Sequence, residues 1–150
     1  ENNDYKALAF FDLDGTLLNS QSKLDQEVIE GIHRIRENGV LPFIATGRGH
    51  FELDEIMING ISGAVAMNGQ YIVLDGEQFY KEEIPTSSVE KLLEAASPHS
   101  EAFSFYDSQR LLVSELTDLA KTAYAYTHMP MPQQMLELPL SGSNMLLVLT

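Results

Sequence analysis

The sequence contains no cysteine and no tryptophan, and its 9 basic residues face 22 acidic ones. Without cysteine there is no disulfide and no thiolate-bound metal. A formal charge of −13 removes the basic footprint that nucleic-acid binding requires, so no nucleic-acid partner is expected. No stretch of about 18 apolar residues occurs, which argues against a membrane-spanning helix and a membrane partner. Nor does a basic segment followed by an apolar one open the sequence, so no secretory signal is visible. Together these absences favour a cytoplasmic protein. The histidines His33, His50, His99 and His128 are too scattered for a zinc site. Ser62, Ser100 and Ser114 lack the context of a nucleophile elbow. What remains is an ordinary globular composition, 44% apolar over 150 residues, enough for one domain or parts of two.

Against that background one pentapeptide stands out, Asp12-Leu13-Asp14-Gly15-Thr16. It follows the apolar run Ala7-Leu8-Ala9-Phe10-Phe11, which reads as a buried strand. Two carboxylates therefore sit where a strand ends and the chain turns at a glycine. In α/β sheets, ligands bind at that end of the strands. Acid–x–acid at such a point suits a hard cation such as Mg²⁺, with one acid left for chemistry. A solvated turn has the same composition, since Asp and Gly are common turn residues. The strand before the motif and a second motif after it favour the functional reading.

Residues 19–24 are polar and read as a loop. Asp25 is a candidate helix N-cap, with Glu27 in the first turn. Val28, Ile32 and Ile35 share one helical face, widened by Ile29, and Asn38-Gly39 stops the helix. Residues 40–45 form a second apolar strand, completing a βαβ unit with parallel strands. This strand runs into Thr46-Gly47-Arg48. Parallel neighbours bring their C-terminal ends to one edge, so Thr46 is expected beside Asp12. A hydroxyl and the amides around Gly47 can cradle a phosphate. Arg48 is a candidate for pairing with substrate or with a charged loop. A short helix carrying Phe51, Leu53, Ile56 and Met57 leads to a third strand at 64–67. Asn68-Gly69 follows. Asn68 lies either at the same functional edge or in a plain left-handed turn. Residues 71–74 and 78–81 flank Asp75-Gly76, a hairpin signal.

Residues 82–85 read as a linker, after which the pattern restarts. Ser87 and Glu90 make a capping box for a helix carrying Val89, Leu92, Leu93 and Ala96. Residues 102–106 and 111–114 read as a strand pair. Leu116, Leu119, Ala120, Ala123 and Tyr124 outline another helix, broken by Met129-Pro130-Met131-Pro132. Residues 145–149 form a last apolar strand, expected to be unpaired.

The pentapeptide resembles the first motif of the haloacid dehalogenase (HAD) superfamily. Thr46 fits the second motif, and Asn68-Gly69 is similar to the Asn-Gly that follows the third strand in Cof-type HAD phosphatases. The resemblance implies an α/β fold, a Rossmann-like HAD core with a parallel sheet over residues 1–83. An α/β cap inserted into it begins at residue 84 and runs to 150, so that core and cap are both incomplete in this chain. It implies that Asp12 is the nucleophile that takes up the phosphoryl group and that Asp14 is the general acid/base. Asp12 would give Mg²⁺ a carboxylate oxygen, and Asp14 its backbone carbonyl. Thr46 and the Gly47 amide would hold phosphoryl oxygens, with Arg48 and Asn68 as further substrate contacts. P-type ATPases carry Lys where this chain has Asp14. A carboxylate there implies that the aspartyl phosphate is hydrolysed, because it can deprotonate a water.

The implied activity is Mg²⁺-dependent hydrolysis of a small phosphorylated metabolite, a sugar phosphate among the candidates. Two motifs of the family are missing, a phosphate-screening Lys and a Gly-Asp acidic pair. Lys81, Lys91 and Lys121 stand in other contexts, and no Gly-Asp-x-x-x-Asp occurs. The expectation is a fragment of a longer enzyme, inactive by itself. A half-protein with a degraded site is the alternative. A phosphomutase would use the same residues, and a non-catalytic binding or regulatory module would have lost the metal site. A receiver domain splits its acids between strands and does not fit Asp-x-Asp-Gly-Thr.

Overall fold

A computed structural model describes residues 5–96, 98, 102–127, 130–135, 137 and 141–149. His99, Ser100, His128 and Met129 lie outside the described residues. The chain divides into two compact units, Glu1–Lys81 and Glu82–Thr150. Among the described residues no helix is long and apolar enough to cross a membrane.

In the first unit, β1 (Ala7–Phe11), β2 (Val40–Ala45), β3 (Gly63–Ala66), β4 (Tyr71–Leu74) and β5 (Glu77–Lys81) form one sheet in that order. The first three strands are parallel, and β4 and β5 turn back antiparallel. Asp75 and Gly76 make the β4–β5 turn with φ of +50° and +82°, the left-handed pair that a two-residue hairpin requires. Helix α1 (Gln26–Glu37) joins β1 to β2 and buries Ile32. Asp25 caps it by backbone geometry alone. Its carboxylate instead accepts from Asn19 Nδ2 at 2.7 Å. Asn19 Oδ1 also receives the amides of Gln21 and Lys23, so the polar 19–24 loop is an ordered turn. At the far end of α1, Arg36 donates to Ser62 Oγ (2.6 Å) and Gly60 O (3.1 Å), tying the helix to the entry of β3. The helix expected near 51–57 is split into a 3₁₀ turn at His50–Glu52 and one α turn, α2 (Asp54–Met57).

Among the described residues β1 has β2 as its single neighbour, and in this stretch of chain Leu8 and Phe10 are 55% and 53% exposed rather than buried as the apolar run suggests. Phe10 leans on Phe43 of β2, ring centroids 5.3 Å apart. An apolar run reports strand preference but not the strand's place in a sheet. The interior strands hold the core instead, with Phe43, Ile44, Ala64 and Ala66 buried.

The second unit has its own sheet, in the order β8-β7-β6-β9. Its strands are β6 (Ala102–Tyr106), β7 (Leu111–Val113), β8 (Gln133–Gln134) and β9 (Met145–Leu149). Helix α3 (Thr86–Ala96) precedes them, and α4 (Asp118–Tyr126) lies between β7 and β8 in sequence. Ser87 falls inside the first turn of α3 rather than before it. Pro85 O accepts the amides of Ser88 and Val89 there. Thr117 caps α4, its Oγ1 accepting from Ala120 N at 3.1 Å. β9 is not a lone strand. It pairs antiparallel with β6 over five residues, from Ala102↔Leu149 to Tyr106↔Met145. Val89, Phe105, Tyr106, Val113, Ala120 and Tyr124 form this unit's core, and the hydroxyls of Ser104 and Tyr124 hydrogen-bond within it.

Candidate active site

The site is built from three loops at the C-terminal ends of β1, β2 and β3. Register explains why they meet. Phe11 lies beside Ile44 and Ala45 beside Val65, so the residues that follow each strand emerge on one edge. In the first loop, Leu13 is fully buried between two exposed acids. Its carbonyl accepts the amides of Thr16, Leu17 and Leu18 at 3.0–3.2 Å. That tight turn holds Asp12 and Asp14 on the solvent side. Gly15 makes the turn with φ +79°, and a Cβ there would meet nothing within 4 Å. Conformation, not space, is what calls for glycine at this position.

The second and third loops are stitched to each other. Thr46 is buried, and its N–H donates to Val65 O at 3.0 Å. Its Oγ1 accepts from Arg48 N at 3.1 Å. A hydroxyl that already accepts still has its proton to donate. Asn68 N donates to Thr46 O (3.2 Å), and Met67 N donates to Arg48 O (2.9 Å). Met67, Asn68 and Gly69 have φ of +53°, +56° and +95°, three successive left-handed residues. Such residues are uncommon outside glycine and persist where the surroundings hold them. Here they lay the Asn68 side chain over Gly47, where an added Cβ would come within 3.1 Å of Asn68 Oδ1.

The three loops enclose a cleft of about 320 Å³ lined by Asp12, Ala45, Thr46, Gly47, Val65, Asn68 and Gly69. Four of the six residues singled out by sequence, Asp12, Thr46, Gly47 and Asn68, thus share one concavity. The other two, Asp14 and Arg48, pair with each other. Arg48 Nη2 meets Asp14 Oδ1 at 2.6 Å and Nε meets Oδ2 at 3.0 Å. The side chains are 59% exposed for Asp14 and 21% for Arg48. At that exposure the pair contributes ~1 kcal/mol or less to stability, so its main effect is geometric. The Arg48 hydrogen bonds hold the Asp14 carboxyl below its ordinary range, partly opposed by burial. The same pairing raises Arg48.

Sequence reasoning passed over Glu52. Its carboxylate accepts from Gly49 N at 2.8 Å. Burial pushes its pKa up, against the Gly49 hydrogen bond and the attraction of Arg48. The available signal was an acid three residues after a loop glycine, a helix-start pattern.

As a metal site the donor set is partial. Asp12 and the Asp14 carbonyl are hard oxygens of the kind Mg²⁺ prefers. Among the described residues, however, no cluster of three or more His, Cys, Asp or Glu residues could hold an ion. The Asp14 carboxylate is engaged by Arg48, which leaves its carbonyl as the available donor. No basic side chain is among the residues lining the cleft.

A family model for haloacid dehalogenase-like hydrolases matches residues 9–148. Among curated proteins, the HMP-PP phosphatase of Klebsiella pneumoniae (strain 342) is 33% identical over 96 residues, 57% of this chain and 33% of its own length. Among solved structures, a protein from Geobacillus kaustophilus HTA426 superposes with a TM-score of 0.77 at 32% identity. That match covers 87% of this chain and 52% of the other. The HAD subclass IIB sugar phosphatase BT4131 gives a TM-score of 0.72 at 29% identity, again over 87% and 52%. The chain belongs to the haloacid dehalogenase-like hydrolases, in their Cof-type branch, and has their α/β fold with a Rossmann-like core. It spans between a third and about half the length of these relatives.

Proposed function

We propose that the protein carrying this chain is a Mg²⁺-dependent phosphatase of small phosphorylated metabolites, with sugar phosphates as the leading substrate class. The observation that carries this reading is the shared cleft, which Asp12, Thr46 and Gly47 line together. The names of the relatives, a sugar phosphatase and an HMP-PP phosphatase, point to the same chemistry. Residues 1–83 would be the core of the enzyme, and 84–150 the first part of a substrate-selecting cap. The protein would work in the cytoplasm.

In this reading the Asp12 carboxylate attacks phosphorus while the ester oxygen departs, and Asp14 relays to that oxygen a proton it has taken from the substrate's phosphate monoanion. An aspartyl phosphate results. Asp14, now a carboxylate, takes a proton from a water that attacks phosphorus, releasing phosphate and restoring Asp12. Thr46 O–H and the loop amides at Gly47 hold the phosphoryl oxygens throughout. When bound by Asp12 and the Asp14 carbonyl, Mg²⁺ would offset the charge of the phosphoryl group, which matters in a chain at −13. With those two oxygens as donors, residues 1–150 alone are expected to bind Mg²⁺ poorly and to show no turnover.

The test is Asp12→Asn in the full-length protein, which exchanges one oxygen for an amide and keeps the shape. Phosphate release from a panel of phosphomonoesters should fall by at least about a thousandfold. Activity within a few-fold of wild type would remove Asp12 from the mechanism.

A further inference from the structure

Along the second loop of the cleft, the successive amides of Thr46, Gly47, Arg48 and Gly49 have different partners. Thr46 N donates to Val65 O, Arg48 N to Thr46 Oγ1, and Gly49 N to a carboxylate oxygen of Glu52 at 2.8 Å. Gly47 N is the exception. It has no acceptor among the described residues, and Gly47 lines the cleft. One donor is therefore left over for a ligand. A peptide unit is planar, so the direction of this N–H is set by the residues on either side of it.

The loop is pinned at both ends. Its start is stitched to the neighbouring strand through Thr46 N and Val65 O at 3.0 Å. Its end is closed by a clasp. Glu52 N donates to Gly49 O at 3.1 Å, while the Glu52 side chain reaches back to Gly49 N. A Cβ at Gly49 would lie 2.3 Å from the Phe51 ring. No side chain at Gly49 itself can therefore cap the turn, and the acceptor comes from three residues on. Gly49 is buried. Without the carboxylate its N–H would be an unsatisfied buried donor, and the loop would have to move to reach water or another acceptor.

We propose that Glu52 is a positioning residue for phosphoryl binding: by holding Gly49 N it fixes the 46–49 loop so that the open Gly47 amide meets an oxygen of a tetrahedral oxyanion in the cleft. The proposal rests on the reading of the cleft as a phosphomonoester site. A phosphoryl oxygen is common to every ester, so loss of this placement penalises all of them alike, whatever the leaving group. Position and charge also act with opposite signs. Removing a carboxylate near an anion site strengthens anion binding through Coulomb's law, whereas releasing the loop weakens it.

The experiment uses the full-length protein with Mg²⁺ present. Glu52→Gln keeps an acceptor for Gly49 N, and Glu52→Met keeps the length but removes the acceptor. The readouts are inhibition constants for inorganic phosphate and orthovanadate, kcat and KM for p-nitrophenyl phosphate and a hexose 6-phosphate, and amide hydrogen exchange over residues 46–53. Glu52→Met should weaken inhibition by both anions by about tenfold or more. It should raise KM for both esters by a similar factor and speed exchange over 46–53. Glu52→Gln should bind both anions as tightly as wild type or more tightly. Glu52→Asp, whose carboxylate stops one methylene short, should lie between the two and carries the comparison if Glu52→Met does not fold. Arg36→Ala loses the bonds to Ser62 and Gly60 at the end of α1. It controls for lost stability and should leave both inhibition constants unchanged.

Unchanged or tighter anion inhibition in Glu52→Met would overturn the positioning role. So would a loss in Glu52→Gln or Arg36→Ala equal to that in Glu52→Met, or a change confined to one ester. Failure of the underlying reading looks different. The unmutated protein would then be inhibited by neither anion and would hydrolyse neither ester, and the proposal would fall with it.

Discussion

Asp14 and Glu52 are two carboxylates within reach of the Arg48 charge, and their surroundings push them in opposite directions. Asp14 is exposed and hydrogen-bonded, so its folded pKa lies below the ordinary 3.8. Its pairing therefore contributes stability above that pH, lost as the pH falls through the folded value. Glu52 is more buried, and its folded pKa lies above 4.5. As pH rises past 4.5 the unfolded chain gives up this proton first, so stability declines and stays lowered at neutral pH. Glu52→Gln should consequently raise Tm at neutral pH, since glutamine still accepts from Gly49 N and carries no charge to desolvate. The gain should vanish below pH 4.5. Thermal melts of the full-length protein on both sides of that pH check it. A lower Tm at neutral pH would mean that attraction to Arg48 outweighs burial.

Among the elements, β3 carries the tightest constraint. It lies between a parallel and an antiparallel neighbour. A Cβ at Gly63 would lie 2.4 Å from Val73 O and 2.5 Å from the Phe43 ring. The first contact is with backbone and cannot be relieved by a rotamer change. Gly63→Ala is therefore expected to destabilise by about 1–3 kcal/mol, the range for overpacking, and to loosen the third loop that β3 feeds. Denaturant unfolding of the full-length protein measures the first effect, and the KM for a phosphate ester the second. An unfolding midpoint equal to wild type would show that β3 shifts more freely than the spacing implies. Crowding of this kind is invisible in sequence, where Gly63 reads only as a weak strand former.

At the scale of the chain, β1 and β5 are the two edges of the first unit's sheet among the described residues, and β9 is an edge of the second. β9 has a partner in β6. β1 has one neighbour in the sheet order and shows Leu8 and Phe10 to solvent. A flat apolar edge is a template for pairing with another chain, and charge on the edge blunts it. Residues 1–150 expressed alone should self-associate as concentration rises, and Leu8→Lys should shift them toward the monomer. Sedimentation velocity distinguishes the two. A wild-type chain that stays monomeric at every concentration would show that the edge is protected by its own twist.

The sequence by itself determined the strands at 7–11 and 40–45, the helix between them, the Asp75-Gly76 hairpin and the edge to which Asp12, Thr46, Gly47 and Asn68 are brought. Each follows from a local period, a turn chemistry or the rule that a strand–helix–strand unit is parallel, and these act over a few tens of residues at most. Only the tertiary structure decided that β9 pairs with β6. It also decided that the Asp25 carboxylate serves Asn19 rather than its helix, and that Arg48 grips Asp14 and leaves the cleft to Thr46 and Gly47. Those outcomes depend on which groups, remote along the chain, come within hydrogen-bond reach of one another. An arginine after a Thr-Gly turn offers the same donors to a carboxylate and to a phosphate, and the folded position of Asp14 settles which one they meet here.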